Sequence, residues 1–336
     1  ADVYLQFGPA PEGPVDDIEQ AMLEDELPAM RPAELLPVLA QPELSPDLHE
    51  LAAGLLVKHG MAEPRSEVLQ QWSEAPGLGE GPAALLAVLA LIRVRGGALD
   101  RYLNGLCRLP WAVDRMQQAQ FEHRDGIEYL LQEASGQAAA ALLSLEADFG
   151  GAGLLALGRV LDERMSGAPW VVVIMDAMRW DVWEHFRPEF ERGLPGHRIE
   201  SVEPVLAHLP TDTVTNRAAL LGDRPFTIVA AAEKAAKRAE VSRLLREGGP
   251  VRVLHFNLVD ERIHDTDTGP YVLYQELLVA FQQRVLPYLV DVPSDATVLV
   301  TADHGFRYDA ALAPPYSHGG ASVFERVIPA AVFSPR

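Results

Sequence analysis

The sequence contains a single cysteine, Cys107, among its 336 residues. One cysteine excludes an internal disulfide and a thiolate metal cluster, which favours a reducing, cytoplasmic setting. Long hydrophobic runs are also missing, since the longest, AALLAVLALI at 83–92, meets Arg93 and is too short to cross a bilayer. The opening residues ADVYLQFGPAPEGP lack the basic segment and apolar core of a secretory signal. We therefore expect neither a signal peptide nor a membrane partner.

Positive charge is scarce as well. The 28 Lys and Arg residues face 48 Asp and Glu residues, giving a formal net charge of −20. This balance argues against broad, nonspecific binding to nucleic acid, which relies on many basic contacts. It is compatible with a nucleotide or phosphate ester held in one locally positive site, where a bound divalent metal could supply the charge.

The first half of the chain has helical periodicity. Apolar residues recur at spacings of three and four, with Gly and Pro between the segments. The predicted helices are 15–27, 34–41, 47–60, 82–96 and 126–150. We find no convincing internal repeat, although a degenerate helical array stays open as an alternative. A region 1–166 of this kind, acidic and all-helical, suits a role in docking a partner or covering a site.

The pattern changes near residue 167. Short β-branched runs now alternate with helical segments, as is typical of a mostly parallel sheet flanked by helices. The predicted strands are 170–175, 197–205, 251–259, 297–302 and 326–334, and the predicted helices between them are 213–222, 231–247 and 271–290. We therefore predict an α/β domain over 167–336.

Ligand-type side chains follow three of these strands. Asp176 follows the first, Asp260 and His264 follow the run at 251–259, and Asp303 and His304 follow the run at 297–302. On its own, each aspartate is more simply explained as a strand cap or as part of an Asx turn. In a parallel sheet, however, carboxyl strand ends form the binding edge. Together, with His318 close behind, these oxygen and nitrogen donors predict a metal site without thiolates.

A further segment, PTDTVTNRAALLGD at 210–223, combines a threonine-rich turn with a helix start. Taken alone, Thr211 or Thr213 is best interpreted as an N-cap. Beside a metal site, a hydroxyl at a helix N-terminus also suits a nucleophile for phosphoryl transfer, because the backbone amides there face an anion.

The ordered set of motifs DAMRWD, PTDT, DERIH, TADHG and YSHGG resembles the alkaline phosphatase superfamily. The segment 210–223 is similar to the nucleophile segment of nucleotide pyrophosphatase/phosphodiesterases. DAMRWD, together with the compact core, is closer to the PglZ family, which occurs in bacterial phage-defence systems. The resemblance covers roughly 168–336, and it implies an alkaline-phosphatase-like fold and a cytoplasmic hydrolase acting in antiviral defence or signalling.

The resemblance also implies two divalent metal ions, Zn²⁺ in the first place and Mn²⁺ as the alternative. Thr213 would be the catalytic nucleophile, Asn216 would contact a phosphate oxygen, and Arg179 and Arg217 would add charge unless each is held in an ion pair. The sulfatase motif is absent, which disfavours a sulfatase. The implied metal ligands are Asp176, Thr213, Asp303 and His304 for one ion, and Asp260, His264 and His318 for the other.

The implied chemistry is phosphodiester hydrolysis. Metal coordination would lower the pKa of the Thr213 hydroxyl, and two ions about 4 Å apart would face the attacking and leaving oxygens. The implied substrate is a nucleotide or oligonucleotide ester, with protein partners of a defence system bound by the helical half. A phosphomonoesterase with the same ligands, or a non-catalytic metal-bound scaffold, remains an alternative. Thr211, two residues before the nucleophile, is expected to matter less than Thr213.

Overall fold

The computed structural model describes residues 17–119, 128–150, 153–164, 169–223, 225–231 and 238–336. The chain divides into two compact units, Ala1–Asp148 and Phe149–Arg336. This division lies closer to the N-terminus than the 166/167 boundary suggested by the sequence.

The first unit is helical throughout its described residues, as predicted. Every segment predicted to be helical contains a helix, and three further short helices, α4, α6 and α7, join them. The elements are α1 (Asp17–Glu26), α2 (Pro32–Leu39), α3 (Pro46–Ala62), α4 (Ser66–Ser73), α5 (Glu80–Ile92), α6 (Ala98–Asn104), α7 (Leu109–Ala119) and α8 (Glu128–Asp148), with 3-10 turns at Leu27–Ala29 and Leu106–Arg108.

Helix α5 forms the centre of this unit. Its sequence is apolar on almost every side, and Leu85, Leu86, Val88 and Leu89 are fully buried. A helix that is hydrophobic all round needs neighbours on all sides. Helices α3, α4, α7 and α8 supply them. The stretch that could have suggested a membrane segment is therefore a buried core helix. Across the described ranges, no helix combines the length and apolar character needed to span a bilayer.

The second unit is built on a mixed six-stranded sheet. In the order β2-β8-β5-β1-β4-β3, strands β5, β1, β4 and β3 are parallel to one another, β8 is antiparallel to β5, and β2 is antiparallel to β8. A two-stranded ribbon, β6 with β7, stands apart. The strands are β1 (Trp170–Met175), β2 (His197–Leu206), β3 (Thr227–Ala231), β4 (Val251–Phe256), β5 (Thr297–Thr301), β6 (Arg307–Tyr308), β7 (Tyr316–Ser317) and β8 (Val327–Pro335).

The central strands are apolar because both of their faces are covered. All six residues of β1 and all six of β4 are buried. Covered parallel strands need continuous hydrophobic runs rather than alternation. The helices of this unit are α9 (Leu157–Arg164), α10 (Trp180–Gly193), α11 (Thr213–Leu221), α12 (Arg238–Glu247), α13 (Leu258–His264), α14 (Pro270–Arg284), α15 (Leu286–Leu289) and α16 (Val323–Arg326).

The predicted α/β class and mostly parallel sheet are confirmed, with several differences in detail. The strand predicted at 251–259 ends at Phe256, because the chain turns at Asn257 into α13. The helix predicted at 271–290 is interrupted at Val285. Strand β3 was not predicted, and residues 232–237 of the helix predicted at 231–247 lie outside the described residues.

Helix α9 belongs to the second unit, which explains the shifted boundary. It packs on α11, and the residue before it, Ala156, forms a parallel bridge with Leu206 at the end of β2. The contact is close at Gly158, where a Cβ would lie 2.9 Å from the Ala219 carbonyl oxygen and 3.3 Å from His208 Nε2. Helix α9 therefore supports the helix that carries Thr213.

Replacing Gly158 tests this packing. We expect Gly158→Val to lower the free energy of unfolding by about 1–3 kcal/mol, because the side chain must push α9 away from α11. Gly136→Val is the matched control, since Gly136 also lies inside a helix and a Cβ there meets nothing within 4 Å. Chemical denaturation of both variants measures the difference. Equal stability of the two variants would contradict the α9–α11 contact.

Candidate active site

The first part of the site lies where the adjacent strands β1 and β5 end. Asp176 follows β1, and Asp303 lies two residues beyond β5. Asp303 Oδ1 accepts hydrogen bonds from the Ala177 amide at 3.2 Å and the His304 amide at 3.0 Å. Among the described residues, Ala177 is the non-glycine residue with a positive φ, 62°. A left-handed alanine is strained, and such strain clusters at functional sites. Here it turns the chain directly after Asp176.

Thr213 and His304 complete what we call the inner cluster, namely Asp176, Thr213, Asp303 and His304. Thr213 Oγ1 lies 3.2 and 3.3 Å from the two Asp176 carboxylate oxygens and 3.3 Å from His304 Nε2. His304 Nε2 lies 3.4 Å from Asp176 Oδ1. The other ring nitrogen, His304 Nδ1, contacts the Gly305 carbonyl at 2.9 Å. Nδ1 therefore carries the proton, and the Nε2 lone pair faces the carboxylate.

The donor atoms of the inner cluster suit a metal ion. Ligands arranged tetrahedrally at zinc–oxygen and zinc–nitrogen distances of ~2.0–2.1 Å lie about 3.3 Å from one another. The Asp176, Thr213 and His304 atoms match that spacing. Asp303 Oδ2 is buried and lacks a hydrogen-bond partner within the described structure. A buried oxygen left unsatisfied is costly, and a cation would satisfy it.

Asp260, His264 and His318 form a second group, the outer cluster. His264 Nε2 lies 3.0 Å from His318 Nε2, and Asp260 Oδ1 lies 3.3 Å from the first and 3.4 Å from the second. These spacings also match tetrahedral ligands. The three outer residues form one group whose ligand atoms all lie within 4.8 Å of one another, and Asp176, Asp303 and His304 of the inner cluster form another.

The position of Asp260 corrects the expectation that three strand ends supply the ligands. Asp260 lies in the first turn of α13, four residues beyond the end of β4. Asp260 and His264 are four residues apart on this helix, and that spacing places both side chains on one face. The carboxyl edge of the sheet still organises the site, but through a helix at this point.

The two clusters are neighbours. The imidazole rings of His304 and His318 stack with their centroids 4.6 Å apart. The rings of His264 and His318 meet edge to face at 5.1 Å. The two clusters are therefore in contact through their histidine rings.

Burial dominates the electrostatics of the inner cluster. Burial, reinforced by the Asp176 charge, raises the pKa of Asp303 to about 7. Burial also lowers the pKa of His304 and keeps the imidazole neutral at neutral pH, which is the form that binds metals. Two buried carboxylates side by side therefore favour either a shared proton or a cation.

The outer cluster is more exposed to solvent than the inner cluster, and the pKa shifts of its residues have different causes. Contact with Asp260 raises the pKa of His318. Burial by itself would raise the pKa of Asp260, but His318 and the nearby histidine charges outweigh it, and the net shift is downward. The two shifts have a common cause, because Asp260 and His318 each favour the charged form of the other.

Thr213 is the first residue of α11, but it is not the N-cap. Asp212 is the cap, and its carboxylate accepts from the Thr215 amide at 2.7 Å. The alternative in which Thr211 or Thr213 serves merely as an N-cap is therefore wrong. Thr213 is left to face the inner cluster from the positive end of a helix, a position that favours an anion.

Asn216 is placed differently from its implied role as a phosphate contact. It is fully buried, and its Nδ2 lies within 3.2 Å of the carbonyl oxygens of His208, Pro210 and Asp212. Its Oδ1 accepts from the His208 amide. Both ends of the amide are thus used to shape the turn before Thr213. In this structure Asn216 therefore holds the backbone of the turn before Thr213, and its amide is not available for the implied phosphate contact.

Arg179 is likewise structural in its contacts. Its guanidinium forms a fully buried ion pair with Asp181, at 2.8 Å, and lies over the rings of Phe306 and Phe324. Tyr274 donates to the same carboxylate at 2.6 Å. The ion-pair alternative left open by the sequence is the one that the structure contains.

Arg217 contacts His255, a residue that the sequence interpretation missed. The Arg217 guanidinium lies 2.8 Å from His255 Nε2, which is 3.5 Å from Asp176 Oδ2. His255 is buried near the end of β4. The signal was a lone histidine within the apolar run VRVLHF. This pair places a positive charge behind Asp176.

The raised pKa of Asp303 predicts an unusual pH dependence for metal-free protein. The folded-state pKa, about 7, exceeds the ordinary aspartate value of 3.8. The contribution of Asp303 is therefore fully present below pH 3.8 and is lost as pH rises through about 7. We expect Asp303→Asn to gain stability relative to the unsubstituted protein between pH 4.5 and 7.5 in chelator-treated samples. Identical pH profiles in urea unfolding would contradict this assignment.

The chain was compared with known proteins to see whether this arrangement has an assigned family. Neither the comparison with protein-family models nor the comparison with curated proteins finds a match. The function must therefore be argued from the site.

Proposed function

We propose that this chain is a divalent-metal-dependent phosphoric ester hydrolase that uses Thr213 as its nucleophile. The observation that carries the proposal is the position of Thr213 Oγ1. It lies at a helix N-terminus and within 3.3 Å of both Asp176 oxygens and His304 Nε2. In this position the helix N-terminus would attract an anion such as phosphate toward the hydroxyl, and the neighbouring ligand side chains would hold a cation beside it.

The residues that would hold the ions are those of the two clusters. The inner ion would take oxygen atoms of Asp176, Thr213 and Asp303 with His304 Nε2, and the outer ion would take Asp260, His264 and His318. Oxygen and nitrogen donors without thiolate suit Zn²⁺, with Mn²⁺ as the alternative. When bound, the ions would supply Lewis-acid charge that lowers the pKa of a hydroxyl and offsets negative charge on phosphate.

The protein residues would then carry the reaction in two displacements. Thr213 Oγ1 attacks phosphorus while its proton moves toward the Asp176 carboxylate, and the bond from phosphorus to the leaving oxygen breaks. The leaving oxygen takes a proton from water. The hydroxide left by that water attacks phosphorus of the phosphothreonine, the bond from phosphorus to Thr213 Oγ1 breaks, and Oγ1 takes back the proton held by Asp176. The sum is one ester and one water converted to one alcohol and one phosphate product.

Diester hydrolysis is favoured over monoester hydrolysis by the state of the two arginines. A monoester carries one more negative charge than a diester and needs more positive charge beside the phosphate. Arg179 is committed to Asp181, and Arg217 contacts His255. A phosphomonoesterase and a non-catalytic scaffold are the alternatives. The choice of a nucleotide or oligonucleotide ester, and of a role in phage defence, rests on the resemblance to PglZ and to nucleotide phosphodiesterases.

Substitution of Thr213 tests the nucleophile. We expect Thr213→Ala to lower turnover of a bis-aryl phosphate by about a hundredfold or more, because a replacing water lacks fixed in-line geometry. Metal binding should largely persist, since Asp176, Asp303 and His304 remain. The cost in stability should be about 1 kcal/mol, the value of a lost hydrogen bond. Steady-state rates with Zn²⁺ or Mn²⁺ supply the measurement.

Thr213→Ser is the matched control, because it keeps the hydroxyl and should retain turnover. An aryl monophosphate assayed in parallel separates diester from monoester preference. Near-normal diester turnover by Thr213→Ala would overturn the assignment and favour direct attack by water. Metal binding without hydrolysis of either substrate would favour the scaffold.

A further inference from the structure

Thr211 lies outside both clusters but connects the segments that carry them. It is fully buried in the loop that precedes α11. Its hydroxyl donates to the Gly320 carbonyl at 2.8 Å and accepts from the Gly319 amide at 3.0 Å. Those two glycines directly follow His318 of the outer cluster. One hydroxyl therefore connects the loop before Thr213, which we call the nucleophile loop, to the loop that carries His318.

Each side of this connection is fixed elsewhere. On one side, Asn216 binds the backbone of the nucleophile loop through its buried amide. On the other side, the Glu325 carboxylate accepts from the Gly320 amide at 2.8 Å and the Ser322 amide at 3.1 Å. Thr211 is the side chain that joins these two anchored segments through hydrogen bonds. Loss of the hydroxyl would leave each segment with its own anchor but remove these two hydrogen bonds between them.

His318 has a particular need for such a restraint. It is followed by two glycines, and Gly319 has a φ of 96°, a conformation that favours glycine. Glycine loses more conformational freedom on ordering than any other residue. A ligand carried on this segment binds an ion well only when the segment is held, because otherwise binding must supply the ordering entropy. The Thr211 hydroxyl holds the His318–Gly319 peptide by its amide and the Gly320–Ala321 peptide by its carbonyl.

We propose that Thr211 is a positioning residue that sets the metal affinity of the outer cluster and couples that cluster to the nucleophile loop. The inference rests on the proposed function in taking the two clusters as metal sites. It goes further because it makes one site depend on a residue that contacts neither ion. It also changes the expectation that Thr211 matters little beside Thr213.

The test uses the full chain and Zn²⁺ itself. Affinities of the two sites are measured by competition with a chromophoric chelator at neutral pH. The zinc-binding site that is lost in the His264→Ala variant is assigned to the outer cluster. We expect Thr211→Val, which keeps the shape but not the hydroxyl, to weaken the outer site about 10- to 100-fold, the usual effect of losing a partner behind a ligand. The inner site should keep its affinity.

Two variants separate positioning from general destabilisation. Thr211→Ser restores a hydroxyl and should recover the outer-site affinity. Thr301→Val removes another buried hydroxyl, which donates to the Pro329 carbonyl at 2.7 Å. It should leave the outer site unchanged. Turnover by Thr211→Val should be low at limiting Zn²⁺ and recover as Zn²⁺ is added.

The outcomes distinguish this inference from the function on which it rests. If the unsubstituted protein binds two ions and Thr211→Val binds them equally well, the positioning role is wrong and the proposed function stands. If Thr211→Val and Thr301→Val weaken zinc binding at the outer site equally, Thr211 has no specific positioning role and acts only as a buried core residue. If the unsubstituted protein binds no Zn²⁺, both proposals fail. Loss of affinity in Thr211→Val from a protein that hydrolyses no ester would support the coupling and contradict the hydrolase.

Discussion

The mutual repulsion of Asp176 and Asp303 is the constraint on which the site depends. The two carboxylates end neighbouring strands, and both are buried. Burial and the neighbouring charge raise the pKa of Asp303 to about 7. A pair of buried carboxylates is costly unless a proton or a cation lies between them. The fold accepts this cost where two neighbouring strands of its sheet end, and a cation bound between the carboxylates would remove it.

The surrounding segments are arranged around that pair. Ala177 takes a strained conformation directly after Asp176, and its amide joins that of His304 in binding Asp303. His304 is held neutral and aimed by the Gly305 carbonyl. Helix α11 brings Thr213 to the same point, supported from behind by α9. The outer cluster then continues the site through the stacked rings of His304 and His318.

Sequence alone could predict the parts of this arrangement that depend on local pattern. Continuous apolar runs predict β1 and β5, and the aspartates that follow these strands, Asp176 and Asp303, are predicted as ligands from their position alone. The helical character of the first unit followed from spacing. The boundary was less accessible, because α9 has the same periodicity as the helices before it and only its contacts assign it to the second unit.

What the sequence could not supply were contacts made between distant segments. Asp260 was assigned to a strand end, because the apolar residues after Phe256 resemble a continuing strand although they begin a helix. Asn216 and Arg179 were given substrate roles, but their partners, three backbone carbonyls and a buried carboxylate, become visible only in the folded chain. Thr211 gave no local signal beyond a possible cap, since its partners lie more than a hundred residues later.

Anomalous diffraction at the zinc edge, from crystals grown with Zn²⁺, tests the central claim most directly. The account predicts two peaks. One should lie within ~2.0–2.2 Å of donor atoms from Asp176, Asp303 and His304, and the other within the same distance of Asp260, His264 and His318. Zinc bound only elsewhere on the chain, with these six side chains keeping their present contacts, would contradict the metal site and the chemistry proposed for it.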